Sequence, residues 1–348
     1  MPSLKVGLMG CGRIAQLVHL PVLTHLTDVE LVALAETDPR CLEKARHLVP
    51  KVVMFDRYEK ILQMKEVEAV IICLPNDLHA EAAIASLQQG KHVYLEKPLA
   101  TSLEQGRSVL EAWQNTQLVG MIGFNYRFNP LYRVTQQHLK AGSLGKLLGG
   151  RSTFSTTGRN LPDWLQTRST GGGVLLNLAS HHTDLIRFFF GQEVQEVFAS
   201  LRSLHSEQDS AMLQLKLSDG LIVQSFFCIS SIEEDRLEVY GQKGKLSVDR
   251  YLSLCVKMDA PTLESIRFRQ LVHGLKSLVH IPYLLKKIRA PSHEPSYREA
   301  LTHFIMASRA HRPAAPDFYD GFRSLMVIEA AEHSARTGRP VTIPDFAV

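Results

Sequence analysis

The chain lacks several features that identify particular classes of protein. Its five cysteines are scattered and no two form a CxxC pair, so we expect neither a disulfide framework nor a cysteine zinc site. No apolar run reaches the ~18 residues that a membrane-spanning helix needs. The first residues show no basic stretch followed by an apolar one, so no secretory signal is expected. Together these absences predict a reduced, cytoplasmic protein.

What the chain does contain is enough apolar material for well-packed cores. Of its 348 residues, 45% are hydrophobic and 21% are charged. This balance is typical of a globular protein and excludes a fibre or a disordered chain. At about 150 residues per domain, the length predicts two domains.

Residues 1–125 alternate between short apolar runs and stretches in which apolar residues have helical spacing. The predicted strands are Leu4–Met9, Val29–Ala35, Ala69–Pro75, His92–Leu95 and Leu118–Phe124; the predicted helices are Ile14–Leu26, Pro39–Leu48, Leu78–Gln89 and Leu103–Gln114. Such alternation is typical of βαβ units, in which helices cover both faces of a parallel sheet. We therefore predict a first α/β domain over residues 1–125.

Residues 126–348 have a different pattern. The predicted strands are Val194–Leu204, Ser210–Leu217, Leu221–Ile229, Arg236–Tyr240, Lys245–Val248 and Leu252–Val256, and the predicted helices are Val174–Phe190, Tyr297–Ala310 and Tyr319–Thr337. Strands that follow one another through short Gly-containing turns predict an antiparallel sheet. We predict a second α/β domain, whose last helix is a candidate to pack back on the first.

The segment Gly10-Cys11-Gly12-Arg13-Ile14-Ala15 joins the first predicted strand to the first predicted helix. Gly10 permits a tight turn, Gly12 lets the backbone approach a pyrophosphate, and Ala15 allows close packing of helix on strand. The helix N-terminus favours an anion. In this context the pattern predicts a dinucleotide-binding (Rossmann) domain, and a βα turn without a ligand is the alternative.

An acidic partner for the ribose is expected about 20 residues after the loop, at the end of the second strand. Glu36 lies there, and its carboxylate would repel a 2′-phosphate. The pattern favours NAD, and NADP stays open because Asp38 competes for the role and Arg40 can offset the charge.

Glu96-Lys97-Pro98 follows the strand His92–Leu95, at the edge where open α/β sheets bind ligands. Desolvation there would disfavour the ammonium form of Lys97 and suit it as a general base for a hydroxyl that loses a hydride. Glu96 could tether the ammonium or reach the nicotinamide ribose. The alternative is an ordinary surface lysine at a strand end.

A glycine run at 171–173 leads into a helix on which Asn177, His181 and Asp184 are spaced to share one face. A histidine there could share the proton or bind the reacting oxygen, although a helical histidine is usually structural. No metal site is expected, because no histidine lies in an HExxH-like pattern.

Six motifs in this order resemble those of the Gfo/Idh/MocA oxidoreductases, relatives of glucose–fructose oxidoreductase and inositol dehydrogenase. They are GCGRIA at 10–15, LPNDLH at 74–79, EKP at 96–98, GFNYRFNP at 123–130, GGGVLLNLASHHTD at 171–184 and SARTGRPV at 334–341. The resemblance covers essentially the whole chain. It implies a Rossmann domain, then an α/β domain with a large open, mainly antiparallel sheet that often forms a homo-oligomer.

The resemblance also implies roles for particular residues. Lys97 would be the catalytic lysine and His181 the active-site histidine. Leu74, Pro75, Asn76 and His79 would pass beneath the nicotinamide half of the cofactor. Tyr126, Arg127 and Asp184 would line the substrate pocket, with Trp164 on its rim. The polyol dehydrogenases commonly have aspartate at the position of Asn177, and asparagine cannot balance a protonated His181, so Lys97 would carry more of the proton transfer.

Residues 265–289 hold six Lys or Arg side chains and no Asp or Glu, within a chain of net charge +4. Apolar residues in this segment have helical spacing up to Pro282. A basic amphipathic stretch can rest on an anionic membrane or face an anionic ligand. A solvated or subunit-contacting surface is the favoured interpretation, and nothing else supports nucleic-acid binding.

These features predict an NAD(P)-dependent enzyme that transfers hydride between a secondary hydroxyl of a sugar or cyclic polyol and nicotinamide. Lys97 would act as general acid and base, assisted by His181 and Asn177. Two alternatives stay open: a nucleotide-sugar dehydrogenase of polysaccharide synthesis, and a non-catalytic protein that senses NAD(P).

Overall fold

The computed structural model describes residues 2–157, 161–259 and 281–346. The strands are β1 Leu4–Met9, β2 Val29–Ala35, β3 Val53–Phe55, β4 Ala69–Ile72, β5 His92–Leu95, β6 Gly120–Ile122, β7 Leu147–Ser155, β8 Val194–Arg202, β9 Ser210–Leu217, β10 Ile222–Cys228, β11 Glu234–Gly241, β12 Gly244–Asp249, β13 Lys257–Asp259 and β14 Val341–Thr342. The α-helices are α1 Leu20–Leu23, α2 Pro39–Leu48, α3 Glu59–Leu62, α4 His79–Gln88, α5 Leu103–Gln114, α6 Pro130–Lys140, α7 Ser180–Phe190, α8 Ile281–Arg289, α9 Ser296–Arg309 and α10 Phe318–Thr337.

The first sheet is a parallel sheet in the order β3-β2-β1-β4-β5-β6. Its order reverses between β1 and β4, and such a reversal leaves a ligand-binding crevice at the carboxyl ends of the two strands. All residues of β4 are buried, as expected for a strand with helices on both faces. The predicted Rossmann architecture is confirmed, although the sequence pattern missed the three-residue strand β3.

The second sheet has the order β13-β12-β11-β7-β10-β9-β8-β14. Its neighbouring strands are antiparallel, except for the parallel pair β7 and β10. Burial alternates strictly along β9, so one face packs against the core and the other is exposed. This confirms the predicted open, mainly antiparallel sheet.

Two parts of the second domain differ from the prediction. Leu252–Val256 is not a strand, because the Asp249 carboxylate accepts hydrogen bonds from the backbone N–H groups of Tyr251 and Leu252 and turns the chain away from the sheet. The strand follows later, as β13. The sequence pattern also missed β7, whose Gly149-Gly150 pair obscures the alternation of apolar residues.

Two predicted helices begin with a rare wider turn. π-Helical turns at Ala15–His19 and Leu175–Ala179 lead directly into α1 and α7. Single π turns are frequent at functional sites because they redirect side chains within a helix. Both turns contribute side chains to the cleft between the domains.

The last helix, α10, packs on both domains. Gly106 of α5 approaches Leu325 and Phe322 of α10 so closely that a Cβ at Gly106 would lie 3.1 Å from each side chain. On the opposite side, the Ser334 hydroxyl of α10 accepts a hydrogen bond from the N–H of Ala199 in β8 at 3.0 Å. The helix therefore bridges the Rossmann domain and the second sheet.

Candidate active site

A cavity of about 980 Å³ opens at the carboxyl edge of the parallel sheet. Residues that follow β1, β2, β4 and β5 form one wall, and the second domain forms the other. The predicted site residues that line it are Gly10, Gly12, Arg13, Ile14, Glu36, Leu74, Pro75, Asn76, His79, Glu96, Lys97, Trp164, Asn177 and His181. The crevice at a topological switch point is where ligands bind in this architecture.

The two glycines of the phosphate loop have different roles. Gly10 has φ +88°, and a Cβ there would lie 2.5 Å from the carbonyl oxygen of Cys73, so the turn requires glycine. At Gly12 a Cβ would meet no atom of the described chain within 4 Å. Gly12 therefore leaves open space in the cavity beside the backbone, as a bound pyrophosphate needs. Ala15 is fully buried and packs behind the loop.

Glu36 is held in place by the backbone. The N–H of Cys11 donates to Oε2 at 2.7 Å, and the N–H of Asp38 donates to Oε1 at 2.9 Å. Asp38 caps α2 and pairs with the Arg40 guanidinium at 3.1 Å. Asp38 and Arg40 thus offset each other, and Glu36 is the acid fixed at the end of β2. A 2′-phosphate would meet this fixed carboxylate, so the residues fit NAD.

Lys97 lies deep in the cavity beside the second domain. Its Nζ donates a hydrogen bond to the backbone carbonyl of Asn177 at 2.8 Å. Burial lowers the pKa of Lys97 to about 8, against the opposing attraction of the Glu96 carboxylate. The amine is therefore partly unprotonated near neutral pH, which general-base catalysis requires.

Glu96 binds a residue that sequence reasoning missed. Its Oε1 lies 2.8 Å from Nε2 of His19, a fully buried side chain on the first π-helical turn. The structure therefore shows Glu96 tethered to His19, where we expected contact with the Lys97 ammonium or the cofactor ribose. A sequence signal existed, since His19 lies four residues after Ala15 and so shares its inward face.

His181 is stacked on an aromatic ring. The ring of Tyr126 lies 4.3 Å from the imidazole, centroid to centroid, with 18° between the planes. Burial, reinforced by the positive charges of Lys97 and Arg250, lowers the pKa of His181 well below its usual value. The imidazole is consequently neutral at physiological pH and can accept or donate one hydrogen bond in the cavity.

The segment after β4 connects the two domains. The amide of Asn76 donates to the carbonyl oxygen of Gly171 at 2.7 Å, where φ is +93° and a Cβ would lie 2.4 Å from Cβ of Asn76. The ring nitrogens of His79 lie 2.7 and 2.9 Å from the carbonyl oxygens of Pro98 and Leu74. These contacts fix the floor of the cavity beneath Lys97.

Tyr126, Arg127 and Asp184 are not among the described residues that line the cavity. The Arg127 guanidinium donates to both carboxylate oxygens of Asp184, which is 1% exposed, and it also pairs with Asp320 of α10. Arg187 joins the same cluster through Asp320 at 3.1 Å. Arg127 and Asp184 are thus engaged in buried ion pairs that tie α7 to α10, and their contact with substrate stays a prediction.

The rim of the cavity is apolar. Trp164, which we predicted at the rim, lines the cavity together with Leu161, Pro162 and Leu165. The guanidinium of Arg168 anchors this loop, because it pairs with Glu332 of α10 and donates to the carbonyl oxygen of Thr101. These apolar side chains can pack against the C–H face of a ring-shaped ligand.

The basic segment lies partly outside the described residues: residues 265–280 are not described, and 281–289 form α8. Lys287 of α8 donates to the carbonyl oxygens of Arg250 and Tyr251, both at 2.6 Å, and Lys286 pairs with Glu299 at 3.1 Å. Two of its cations thus attach α8 to the protein body. None of the described helices is long and apolar enough to cross a membrane. Within the described ranges no cluster of three potential metal ligands occurs.

A Rossmann sheet with a glycine loop, an acid fixed at the end of the second strand and a half-buried lysine at one crevice is typical of an NAD-dependent oxidoreductase. Models of known families place the chain more narrowly. Residues 4–124 match the oxidoreductase family with an NAD-binding Rossmann fold, and residues 132–247 match the GFO/IDH/MocA C-terminal domain. The chain belongs to the Gfo/Idh/MocA oxidoreductase family.

Its relatives span nearly its whole length. It is 26% identical to myo-inositol 2-dehydrogenase of Thermotoga maritima, over 98% of this chain and 99% of that protein. It is 25% identical to scyllo-inositol 2-dehydrogenase (NAD(+)) of Bacillus subtilis, over 98% and 96%. The structure of levoglucosan dehydrogenase in complex with NADH matches with a TM-score of 0.82 and 20% identity, covering 99% and 100%. At that identity the likeness concerns the fold.

Proposed function

We propose that the protein oxidises a secondary hydroxyl of a sugar or cyclic polyol to a ketone, or reduces the ketone, with Lys97 as general acid and base. The observation that carries the proposal is the position of Lys97. Its half-buried amine shares one cavity with the phosphate loop and Glu36, and its pKa is lowered to about 8 by desolvation. The inositol 2-dehydrogenases to which the chain is similar support this substrate class.

Bound NAD would accept the hydride from the carbinol carbon, and the protein must remove the hydroxyl proton. The hydrogen bond from Nζ of Lys97 to the Asn177 carbonyl orients the amine and leaves its lone pair for that proton. The neutral imidazole of His181 can bind the reacting oxygen or a neighbouring hydroxyl. The amide of Asn177 can orient a further hydroxyl without adding charge, so Lys97 carries the proton transfer.

The described walls of the substrate end favour a neutral ring. Phe154, Leu161, Pro162, Trp164 and Leu165 provide apolar surface beside Lys97 and His181. Aromatic and aliphatic side chains pack well against the C–H face of a sugar, while a few polar groups select its hydroxyls. A nucleotide sugar would need cations for its pyrophosphate, and these walls supply none among the described residues.

A substrate panel tests the proposal. Inositols, free sugars, levoglucosan and UDP-sugars would each be offered with NAD and with NADP, and NADH or NADPH formation followed by absorbance. We expect turnover of neutral rings, with NAD preferred. Turnover of UDP-sugars alone would replace the proposal by the nucleotide-sugar alternative. Tight NADH binding without turnover of any compound would favour a cofactor-sensing protein.

We also propose that the protein forms a homo-oligomer through the exposed face of the second sheet. On that face Phe198, Met212 and Ile222 are 40%, 63% and 42% exposed. The strand register puts these side chains on the same side, because Phe198 pairs with Gln214 of β9 and Ile222 pairs with Lys216. Large apolar side chains that share one exposed face indicate an interaction surface.

A further inference from the structure

The imidazole of His181 lacks the hydrogen bond that usually orients an active-site histidine. Its Nδ1 is buried and has no hydrogen-bond partner among the described residues. In most such sites a carboxylate or carbonyl group binds one ring nitrogen and thereby fixes the ring. Here the parallel stack on Tyr126, at 4.3 Å, is the closest ring contact that defines its plane.

Tyr126 is in turn held by a guanidinium. The Cζ atom of Arg250 lies 4.5 Å from the centroid of the Tyr126 ring and 5.7 Å from that of Phe154. A desolvated cation against an aromatic face is attracted by the negative face of the ring. Tyr126 and Phe154 both neighbour the imidazole of His181, so Arg250 touches the rings that surround it.

Arg250 is fixed by two buried carboxylates from different elements. Its Nε donates to Asp235 Oδ2 at 2.6 Å, and a terminal nitrogen donates to Glu294 Oε2 at 3.2 Å. Asp235 also accepts from the Tyr132 hydroxyl at 2.7 Å and lies 3.0 Å from Nε2 of His182. The carboxylate therefore contacts His182 directly, and Arg250 and Tyr126 form one chain of contacts from it to His181.

We propose that Arg250 is a positioning residue for the hydride-transfer reaction, which holds the His181 imidazole in place beside Lys97 through the ring of Tyr126. The proposal rests on the proposed function, because the orientation of His181 matters only if the reaction takes place in this cavity. Arg250 touches neither substrate nor cofactor in this scheme.

The charges around His181 give the proposal a measurable consequence. Lys97, Arg250 and His182 face it and lower its pKa, while Asp235 raises it. Arg250→Met removes a positive charge near His181. The negative charge of Asp235 is then no longer balanced by Arg250, and both effects raise the pKa of His181. We expect its titration midpoint to move upward in Arg250→Met, because a positive charge that lowers its pKa is removed.

NMR of protein labelled at the histidine Cε1 position tests this without a substrate. The His181 signal would be assigned by its loss in His181→Gln. In Arg250→Met we expect an altered chemical shift and a raised midpoint. Arg250→Lys keeps the charge but cannot lie flat on the ring, so we expect an altered shift with a midpoint near that of the wild type.

Arg187→Met is the matched control, because Arg187 is also buried among carboxylates but belongs to the α7–α10 cluster. The His181 signal should stay at its wild-type position in that variant. A wild-type shift and midpoint in Arg250→Met would overturn the proposal. If Arg250→Met does not fold, an unchanged His181 shift in Arg250→Lys overturns it equally.

Kinetics separate positioning from simple structural support. With a substrate identified by the panel, Arg250→Lys should lower kcat about tenfold, which corresponds to roughly 1.4 kcal/mol in the activation free energy. The Kd for NADH should change less than threefold, because Arg250 does not contact the cofactor in this scheme. An equal loss in cofactor affinity would indicate general destabilisation and overturn the proposal. Failure of the proposed function would instead appear as a wild-type protein without turnover, while the NMR shifts persisted.

Discussion

Among single residues, Lys97 has the most specific role in the proposed reaction. Its Nζ is held at the Asn177 carbonyl within the cofactor cavity. Replacing it in Lys97→Met removes the proton acceptor but keeps the length of the side chain. Because general-base catalysis contributes roughly 10²–10⁴-fold, we expect turnover to fall by about that factor. Titration with NADH should give a Kd close to that of the wild type, and near-normal turnover would refute the role of Lys97.

The lowered pKa of Lys97 predicts the pH dependence of the reaction. Oxidation needs the unprotonated amine, and the pKa of Lys97 is about 8 because of its burial. The kcat/KM for alcohol oxidation should therefore rise with pH below about 8 and become constant above it, and ketone reduction should show the opposite trend. Initial rates across pH 6 to 10 in buffers of constant ionic strength would measure this. A midpoint near the ordinary value for lysine, about 10.4, would contradict it.

Glu36 should determine the choice between NAD and NADP. Glu36→Gln keeps the hydrogen bond from Cys11 N–H but removes the charge that repels a 2′-phosphate. We expect the preference for NAD over NADP to fall about tenfold, which corresponds to 1.4 kcal/mol. Glu43→Gln on the exposed part of α2 is the control and should leave the ratio of kcat/KM values unchanged. An unaltered ratio in Glu36→Gln would show that another group selects the cofactor.

For single residues, the sequence located the side chains but not their hydrogen-bond and ion-pair partners. Glu36 and Lys97 follow predicted strands, and His181 lies on a predicted helix that begins after a run of glycines. The local sequence pattern was therefore enough to locate these residues. The pairing of Arg127 with Asp184 joins residues 57 positions apart, and no local pattern shows which acid meets which base. The same holds for His19, whose partner Glu96 is 77 positions away.

Among the elements, the phosphate loop offers a matched pair of substitutions. Gly10→Ala would place a Cβ 2.5 Å from a backbone oxygen at a residue with φ +88°, whereas Gly12→Ala meets open space. We expect Gly10→Ala to lower the free energy of unfolding by more than 1 kcal/mol and to lower Tm. Gly12→Ala should keep the wild-type Tm. Its affinity for NADH should nevertheless fall at least tenfold, because the alanine methyl group occupies space that the pyrophosphate needs.

Thermal unfolding followed by circular dichroism and NADH titration by fluorescence would measure both variants. Equal Tm loss in the two variants would show that Gly12 is also a packing residue. Wild-type NADH affinity in Gly12→Ala would place the pyrophosphate elsewhere in the cavity.

Element prediction succeeded where the periodic pattern was long and failed where glycines or an extra helical residue interrupt it. Pro39–Leu48, Leu103–Gln114 and Ser210–Leu217 have the predicted bounds. The π-helical turns before α1 and α7 were missed, because a π turn adds one residue to a helix without changing its composition. The parallel pairing of β7 with β10 was also unforeseen, since it joins strands 73 positions apart.

For the molecule as a whole, the basic segment explains the net charge. The net charge is +4, and residues 265–289 contain six cations and no acid, so the rest of the chain is slightly acidic. Lys287 binds carbonyl groups at the end of β12, and Lys286 pairs with Glu299. The described end of the segment is therefore attached to the second domain, next to the Arg250 side chain that contacts Tyr126. Membrane contact through residues 265–289, the interpretation that the sequence did not favour, stays an open alternative.

The exposed face of the second sheet predicts how the protein assembles. Met212, the third residue of β9, is 63% exposed, on the same face as Phe198 and Ile222. If this face joins subunits, light scattering coupled to size exclusion should give a multiple of the 39.0 kDa chain mass. Met212→Glu would bury a charge in each interface and should shift the protein toward the monomer, since an unpaired buried charge costs several kcal/mol. Leu252→Glu, at a site 83% exposed and outside the strands, should leave the mass unchanged. A wild-type mass of one chain at all concentrations would contradict the proposed oligomer, whereas a multimer insensitive to Met212→Glu would assign the contact to another surface.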